Sequence, residues 1–405
     1  MKRMMRWLAI ILAGWATVVS AQVDVVKGVT KRNFAVTGFV GDASVAAQVA
    51  GVLQNDLRLS GHFKITPSTE AEFVQSGSVR IEGTKTGVIE CTVTLAATKK
   101  VILAKSYTGS PQDLRRMVHK LADDIVQTVT GQRGIAQSQI AFVWTRGNVK
   151  ELAVMDYDGH NPRQLTFDKS LSVRPRWSPN GRKIVYTSYI NRFPDVLEAD
   201  LFTGSRRRIA GFPGLNSGAA FSPDGNEIAL TLSKDGNPEL YVMNAAGGGL
   251  QRLTNTKGAE SSPSWTHDGQ NIVYVSDDRG SPQIYMISRN GGEPQRLTVS
   301  PSYNTEPDWS RPPPGSEMKP MLAVTSRVGG QFQIGLYDAA TREVRMQNTG
   351  GGDSQDPSWA PNGRHLVFSK TQNWRTRLYL LDVLTGELVE LPPVEGGASE
   401  PAWGP

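Results

Sequence analysis

Two hydrophobic periodicities divide the chain. From residue 33 to about residue 130 helical and strand spacings alternate. Asn33 to Val40 reads as a strand, and Val45, Val49, Val52, Leu53 and Leu57 fall near one face of a helix over Val45 to Leu59. Leu114, Met117, Val118, Leu121, Ile125 and Val129 recur at helical spacing over Asp113 to Val129. Between them, Val79 to Tyr107 holds two or three strands, in which Ile89, Cys91, Val93 and Leu95 alternate with Val88, Glu90, Thr92 and Thr94. Two helices packed on a small sheet satisfy this pattern.

Beyond Gln139 the helical spacing vanishes and a repeat takes over. Trp177, Phe221, Trp265, Trp309, Trp359 and Trp403 follow one another at intervals of 44, 44, 44, 50 and 44 residues. Around them the text reads RPRWSPNGRKIVYTS, GAAFSPDGNEIALTLS, SPSWTHDGQNIVYVS, EPDWSRPPPGSEMKPMLAVTS, DPSWAPNGRHLVFS and EPAWGP. Each unit predicts a strand ending on the aromatic, a turn at Pro and Asp/Asn-Gly, and an alternating strand such as Ile184-Val185-Tyr186. A second hairpin follows about 20 residues later, as in ELAVMDYDGHNPRQLT and RLYLLDVLTGELVELP. Four short strands in a period of the mid-forties is a propeller blade. Helical solenoids share that period, but Gly, Pro and Asn interrupt this region too often for them. The longer fourth interval coincides with Arg311-Pro312-Pro313-Pro314-Gly315, an insertion within one turn.

Trp403 has no strands after it, whereas Ile140 to Trp144 begins a blade without an anchor. Pairing the two closes the ring and removes unpaired edges. The fold expected is therefore a six-bladed β-propeller preceded by a small α/β domain: 22–133 for the first, 134–405 for the propeller, with Gln132 to Gln139 as linker. Residues 1–21 read as a secretory signal peptide. Lys2, Arg3 and Arg6 precede an apolar run from Trp7 to Val19 and a small-residue exit at Val19-Ser20-Ala21. That run is shorter than the roughly 20 residues a bilayer helix needs.

Removing the leader takes away three cations and no acid, so the formal charge falls from +6 to +3. The one dense basic run, Arg206-Arg207-Arg208, lies at a hairpin, which argues against nucleic acid. Cys91 is the single cysteine, so no intrachain disulfide forms, and its place on an apolar strand face makes it a core residue.

Catalytic patterns are missing. No Gly-x-Ser-x-Gly elbow occurs. His62, His119, His160, His267 and His365 show no metal-ligand spacing, and Asp156-Tyr157-Asp158-Gly159 reads as a turn. What does recur is a polar group just before each anchor: Arg174, Asn216, Ser217, Glu260, Ser261, Asn304, Thr305, Glu306, Gln355, Asp356, Ser399 and Glu400. One set per blade should converge at one channel mouth as a docking surface. The carboxylates of Glu260, Glu306, Asp356 and Glu400 would face the channel, where they offer a weaker alternative of holding a cation.

The helix text GVLQNDLRLSGHFKI, the linker text TGQRGIAQSQIAFV, the blade text AAFSPDGNEIALTLSKDGNPELYVMN and the terminal EPAWGP together resemble the TolB family, the periplasmic propellers of the Tol-Pal system. The resemblance covers essentially the whole chain after the leader. It implies a non-catalytic monomeric adaptor in the periplasm, without cofactor or direct membrane insertion, that supports outer-membrane integrity and constriction at cell division. Its partners would be the lipoprotein Pal, TolA and further outer-membrane proteins. By position, Pal would meet Leu215, Asn216, Ser217 and Gly218, then Glu260, Ser261 and Ser262, then Asn304, Thr305 and Glu306. TolA would meet the segment from Gln22 to about Thr30, in which Val23-Asp24-Val25-Val26-Lys27 has strand-forming residues able to add to a partner's sheet edge. The third-blade loop departs from the pattern, reading Glu260-Ser261-Ser262-Pro263 where the fourth has Asn304-Thr305-Glu306-Pro307. Two other classes remain open: a hydrolase or lactonase with a cation in the channel, and a glycan-binding propeller using exposed aromatics.

Overall fold

A computed structural model describes residues 30–83 and 85–405. The leader over 1–21 and the segment Gln22 to Lys27 lie outside them.

The first part is a mixed sheet carrying two helices. Strand β1 (Arg32–Val36) leads to helix α1 (Ala43–Leu59), followed by β2 (Phe63–Ile65), β3 (Phe73–Glu82), β4 (Thr86–Leu95), β5 (Val101–Gly109) and helix α2 (Leu114–Thr130). The sheet order is β2-β1-β3-β4-β5, with β1 parallel to both neighbours and the remaining pairs antiparallel. The first strand is shorter than its sequence pattern suggests. Gly38, at φ 98°, turns the chain, and Val40 keeps only an isolated bridge to Ser78. Asp42 starts α1 by accepting the N–H groups of Ser44 and Val45, both at 3.1 Å. Gly131 ends α2 in the left-handed conformation. Phe34, Phe63, Ile89 and Val93 of the sheet are buried with Leu53, Leu57, Val118, Leu121 and Ile125 of the helices. Each such side chain stabilises by about 1.5–3 kcal/mol. Cys91 is buried among them, and burial pushes its thiol up to about 12.

The second part is six four-stranded sheets. The innermost strands of blades 1 to 5 are Ser172–Trp177, Asn216–Phe221, Glu260–Trp265, Asn304–Trp309 and Asp353–Trp359. Blade 6 combines Gln139–Arg146, Val149–Asp156 and Arg163–Gln164 with the last strand, Gly397–Trp403, which pairs antiparallel to Gln139–Arg146. All six anchors end an innermost strand. The anchor tryptophans also join blades: Trp177 Nε1 donates to the Ala402 carbonyl at 2.9 Å, Trp265 to Ala220 at 3.0 Å and Trp359 to Asp308 at 3.0 Å, each in the preceding blade. An indole supplies both the apolar slab and the donor that this position uses. Gly181, Gly225, Gly269 and Gly363 of the following turns all have φ of 67–75°, which explains their recurrence.

Blades 5 and 6 carry the α/β part. Ile135, Ala136 and Ser138 of the linker are buried, and the Asp123 carboxylate accepts the N–H groups of Ala136 at 2.8 Å and Gln137 at 3.1 Å. The linker is thus fixed between the two cores. At one side of the joint Arg364, backed by Asp382, donates to the Gly61 carbonyl at 2.8 Å. Gly61 (φ 78°) has no room for a Cβ beside that guanidinium. At the other side His119 Nδ1 lies 2.7 Å from Asp56 Oδ2, Tyr157 donates to Asp56 Oδ1 at 2.8 Å, and Arg115 pairs with Asp158.

This second network titrates. Burial opposes a charged imidazole at His119, but the hydrogen bond and charge of Asp56, with the charge of Asp158, carry its pKa above the usual value. Burial also raises Asp56, against the hydrogen bonds from His119 and Tyr157. Both shifts favour the state in which the pair retains its proton. Its stabilising contribution is therefore complete below the unfolded histidine value of about 6.5 and is lost as pH rises through the higher folded value. The melting temperature should fall over that interval, and His119→Gln should flatten this part of the profile, as differential scanning calorimetry at stepped pH would show.

Candidate docking face

Every innermost strand loses register with its neighbour at one place: Ser217 pairs with Thr231 but Ala220 with Ala229, and the other blades repeat this slip. One extra residue is accommodated by a bulge. At the bulge Arg174, Gly218, Ser262, Glu306, Asp356 and Glu400 all adopt positive φ, between 48° and 63°. For the five non-glycine residues this costs on the order of 1–3 kcal/mol each, a strain that must be held by surrounding structure. Five of the six precede proline, so the sequence mark is X-Pro-x-Trp.

These six residues converge, with Arg176 and Ala219, on a cavity of about 30 Å³ at one channel mouth. The side chain of one blade holds the backbone of the next. Glu306 Oε2 accepts the Asp356 N–H at 2.9 Å and the Thr325 hydroxyl at 2.6 Å, and Glu400 Oε2 accepts the Arg174 N–H at 2.8 Å. Arg174 Nη1 donates to Ser262 Oγ at 3.0 Å, across the opening. Burial, then the charges of Glu306 and Glu400, raise the Asp356 pKa well above the carboxylate range, although Ser369 donates to it at 3.0 Å. The result is a rigid polar collar of three carboxyl groups and the Arg174 guanidinium, with Arg176 beside them.

The other polar positions divide by their place on the strand. Ser217, Ser261, Thr305, Gln355 and Ser399 are half-buried beside the collar, as is Leu215 in the loop before it. Asn216, Glu260 and Asn304 do not point into the channel. Asn216 Nδ2 donates to the Phe212 and Pro194 carbonyls at 2.8 and 3.1 Å, and Asn304 bonds Gln283 at 3.0 Å and Ser326 at 2.6 Å. Glu260 turns into blade 3, where it accepts the hydroxyls of Thr256 and Ser276, both at 2.8 Å. Burial and the neighbouring Glu239 raise its pKa to about 7 despite those bonds. These three begin their strands, where loop ends bring unpaired backbone groups that a polar side chain satisfies. The expected channel placement of Glu260 is thereby corrected, leaving Glu306, Asp356 and Glu400 as the acids there. The regular aromatics pack between blades, and five of them also border a cavity at the other end of the channel.

Sequence reasoning missed the rim. Among the described propeller residues, the exposed large apolar side chains are Phe167, Leu171, Ile190, Phe193, Phe202, Val299, Val328 and Trp374. All but Phe202 lie in or beside the loops that enter the innermost strands or join the second and third strands, on the collar's side of the propeller. Trp374 is fully exposed. A lone aromatic in a hairpin carries no periodic signal, and only the topology gathers these residues on one face. His119, Asp56 and Asp158 bring ligand atoms within 4.8 Å of one another, which no spacing suggested. Arg115 and Tyr157 occupy these carboxylates, so the group serves the joint.

A closed six-bladed ring, clamped at two blades to an α/β part and presenting a strained polar collar, defines a two-part propeller protein. Residues 126–405 match the family model described as the TolB beta propeller domain, and residues 21–83 match the TolB amino-terminal domain. The crystal structure of TolB from Acinetobacter baumannii superimposes with a TM-score of 0.82 over 93% of this chain and 97% of that one, at 26% identity. The Tol-Pal system protein TolB of Legionella pneumophila (strain Corby) is 31% identical over 222 residues, 49% of this chain and 52% of the relative. That of Bordetella avium is 33% identical over 232 residues, 52% of each. The chain spans about half the length of the curated relatives it matches. It belongs to the TolB family.

Proposed function

We propose that this chain is a non-catalytic adaptor of the Tol-Pal system in the periplasm, exported by a cleaved leader over 1–21. In this reading 22–133 forms the α/β domain and 134–405 the propeller, whose collar face docks the lipoprotein Pal. The segment Gln22 to Lys27 engages TolA by adding to a sheet edge, and other outer-membrane proteins can share the same face. The linked partners would support outer-membrane integrity and constriction during division.

The observation that carries the reading is the collar framed by exposed apolar side chains. Several exposed apolar side chains on the face that carries a polar centre suit a protein interface, and aromatic residues usually dominate the energetics of one. A collar fixed by neighbouring blades also needs little ordering when a partner binds. Relatives carry the name Tol-Pal system protein, which supports a partner within that system.

Crosslinking in intact envelopes followed by recovery of this chain should yield a peptidoglycan-linked lipoprotein. Deleting Gln22 to Lys27 should abolish recovery of TolA while leaving that lipoprotein in place. Equal TolA recovery from the deletion would remove the N-terminal part of the proposal.

A further inference from the structure

The channel has two unlike ends. Beyond the anchors and beside the linker, Arg176, which also borders the collar cavity, shares a cavity of about 220 Å³ with Arg311, Arg133, one side-chain carboxylate, Asp308, and Pro405, the last residue of the sequence. That carboxylate is engaged by the protein: its Oδ2 accepts the Trp359 N–H at 2.8 Å. The two inner guanidiniums are not. Arg176 donates to the Pro175 carbonyl at 3.2 Å and Arg311 to the Phe221 carbonyl at 3.3 Å, and neither forms an ion pair among the described residues. A guanidinium has five N–H donors, so most of their capacity is left unused by the described residues.

A third donor is also unused. The indole nitrogens of Trp177, Trp265 and Trp359 each reach a carbonyl of the preceding blade, but Trp309 Nε1 is buried without a partner. Burial and the nearby charge of Arg176 lower the Arg311 pKa, against the opposing charge of Asp308. Three guanidiniums thus border this space, against the Asp308 side chain and the terminal carboxylate of Pro405. The Pro-rich insertion, which had no role in the repeat, is what carries Arg311 into the channel.

We infer that this end of the channel binds a small carboxylate with a flat apolar body, its oxygens held by Arg176 and Arg311. A planar guanidinium matches a carboxylate in two-point contact. The ligand's apolar part would lie against Trp177, Trp309 and Trp359, which line the same space. Such a group is either a free small acid or the terminal carboxylate of a peptide with an aromatic last residue. The cavity is too small for a folded segment. This site stands independently of what docks on the collar face.

The test is a titration of the full exported chain, followed by tryptophan fluorescence, with benzoate, acetate and inorganic phosphate as separate probes. Benzoate should give a saturable change and bind more tightly than acetate or phosphate. Arg311→Gln and Arg176→Gln should each weaken it at least tenfold, with Arg311→Lys in between, and near-ultraviolet circular dichroism should confirm the fold of each variant. If one Gln variant fails to fold, the other and the Lys variant decide. A dipeptide ending in phenylalanine that outcompetes benzoate, and loses binding on amidation, assigns the site to a chain terminus; the reverse order assigns it to a free acid. No saturable response, a response unchanged in the arginine variants, or tighter binding of phosphate would overturn the inference.

Discussion

Truncation after Gly396 is expected to abolish cooperative unfolding of the propeller and to produce an aggregating chain. Residues Gly397–Trp403 are the innermost strand of blade 6, so their loss bares the edge of Gln139–Arg146 along its whole length. It also removes the Ala402 carbonyl that receives Trp177 Nε1 and the Trp403 indole that donates to Ser138 at 2.8 Å. The damage then reaches blade 1 and the linker as well as blade 6. Trp403→Ala alone removes a buried aromatic, a change that costs about 3–5 kcal/mol. Domains are stable by only about 5–15 kcal/mol, so even the point variant should lower the urea midpoint severely. The truncated chain should show no sharp transition and should scatter light. A truncated chain that unfolds at the parental midpoint would contradict closure by the last strand.

Arg364→Ala should cost about 3–5 kcal/mol, the usual penalty for leaving one member of a buried ion pair alone. Arg364 Nε and Nη2 donate to the two oxygens of Asp382 at 2.9 and 2.6 Å, and both side chains are only 4% exposed. Burial opposes the charge on Asp382, but the Arg364 hydrogen bonds, with the charges of His365 and Arg364, hold its pKa down at about 2. A depressed carboxylate contributes stability above its unfolded value of about 3.9, and that contribution is lost as pH falls through about 2. The Arg364→Ala defect should therefore be large at pH 7 and shrink in acid. Because Arg364 also holds the Gly61 carbonyl, the joint should loosen first, visible as early hydrogen exchange in α1 and β2. The double change Arg364→Met with Asp382→Leu should recover much of the loss, since it leaves no charge stranded. Equal destabilisation by the single and double variants would sink this explanation.

Much of the fold was legible because it rests on periodicity. The aromatic at the end of each innermost strand, the Asp/Asn-Gly turns and the orphan strand at Trp403 are repeated or complementary signals, and the six sheets follow from them. The short strand β2 left no trace, since so few residues cannot show alternation, and the two-residue outer strands such as Arg163–Gln164 were legible only through the repeated hairpin text. The candidate site was half legible. A polar group before each anchor marks the collar, but whether it turns inward, as Glu260 does, or lines the channel, as Glu306 does, depends on its place relative to a bulge. Adjacent positions on a strand face opposite ways. Long-range partners such as Arg364 with Gly61, or Arg176 with Arg311 in one cavity, have no local pattern at all.

The claim that the collar face docks Pal is tested most directly by calorimetric titration of this chain with the soluble domain of Pal. Three single variants, Phe193→Ser, Trp374→Ser and Phe202→Ser, remove comparable exposed aromatic surface, the first two on the collar's face and the third on the opposite one. Hot-spot residues typically cost 1–2 kcal/mol or more on truncation, about tenfold in affinity. Phe193→Ser or Trp374→Ser should lose about that much, and Phe202→Ser nothing. Undiminished binding by the collar-face variants, with loss at Phe202→Ser, would place the partner on the other side of the propeller and contradict it.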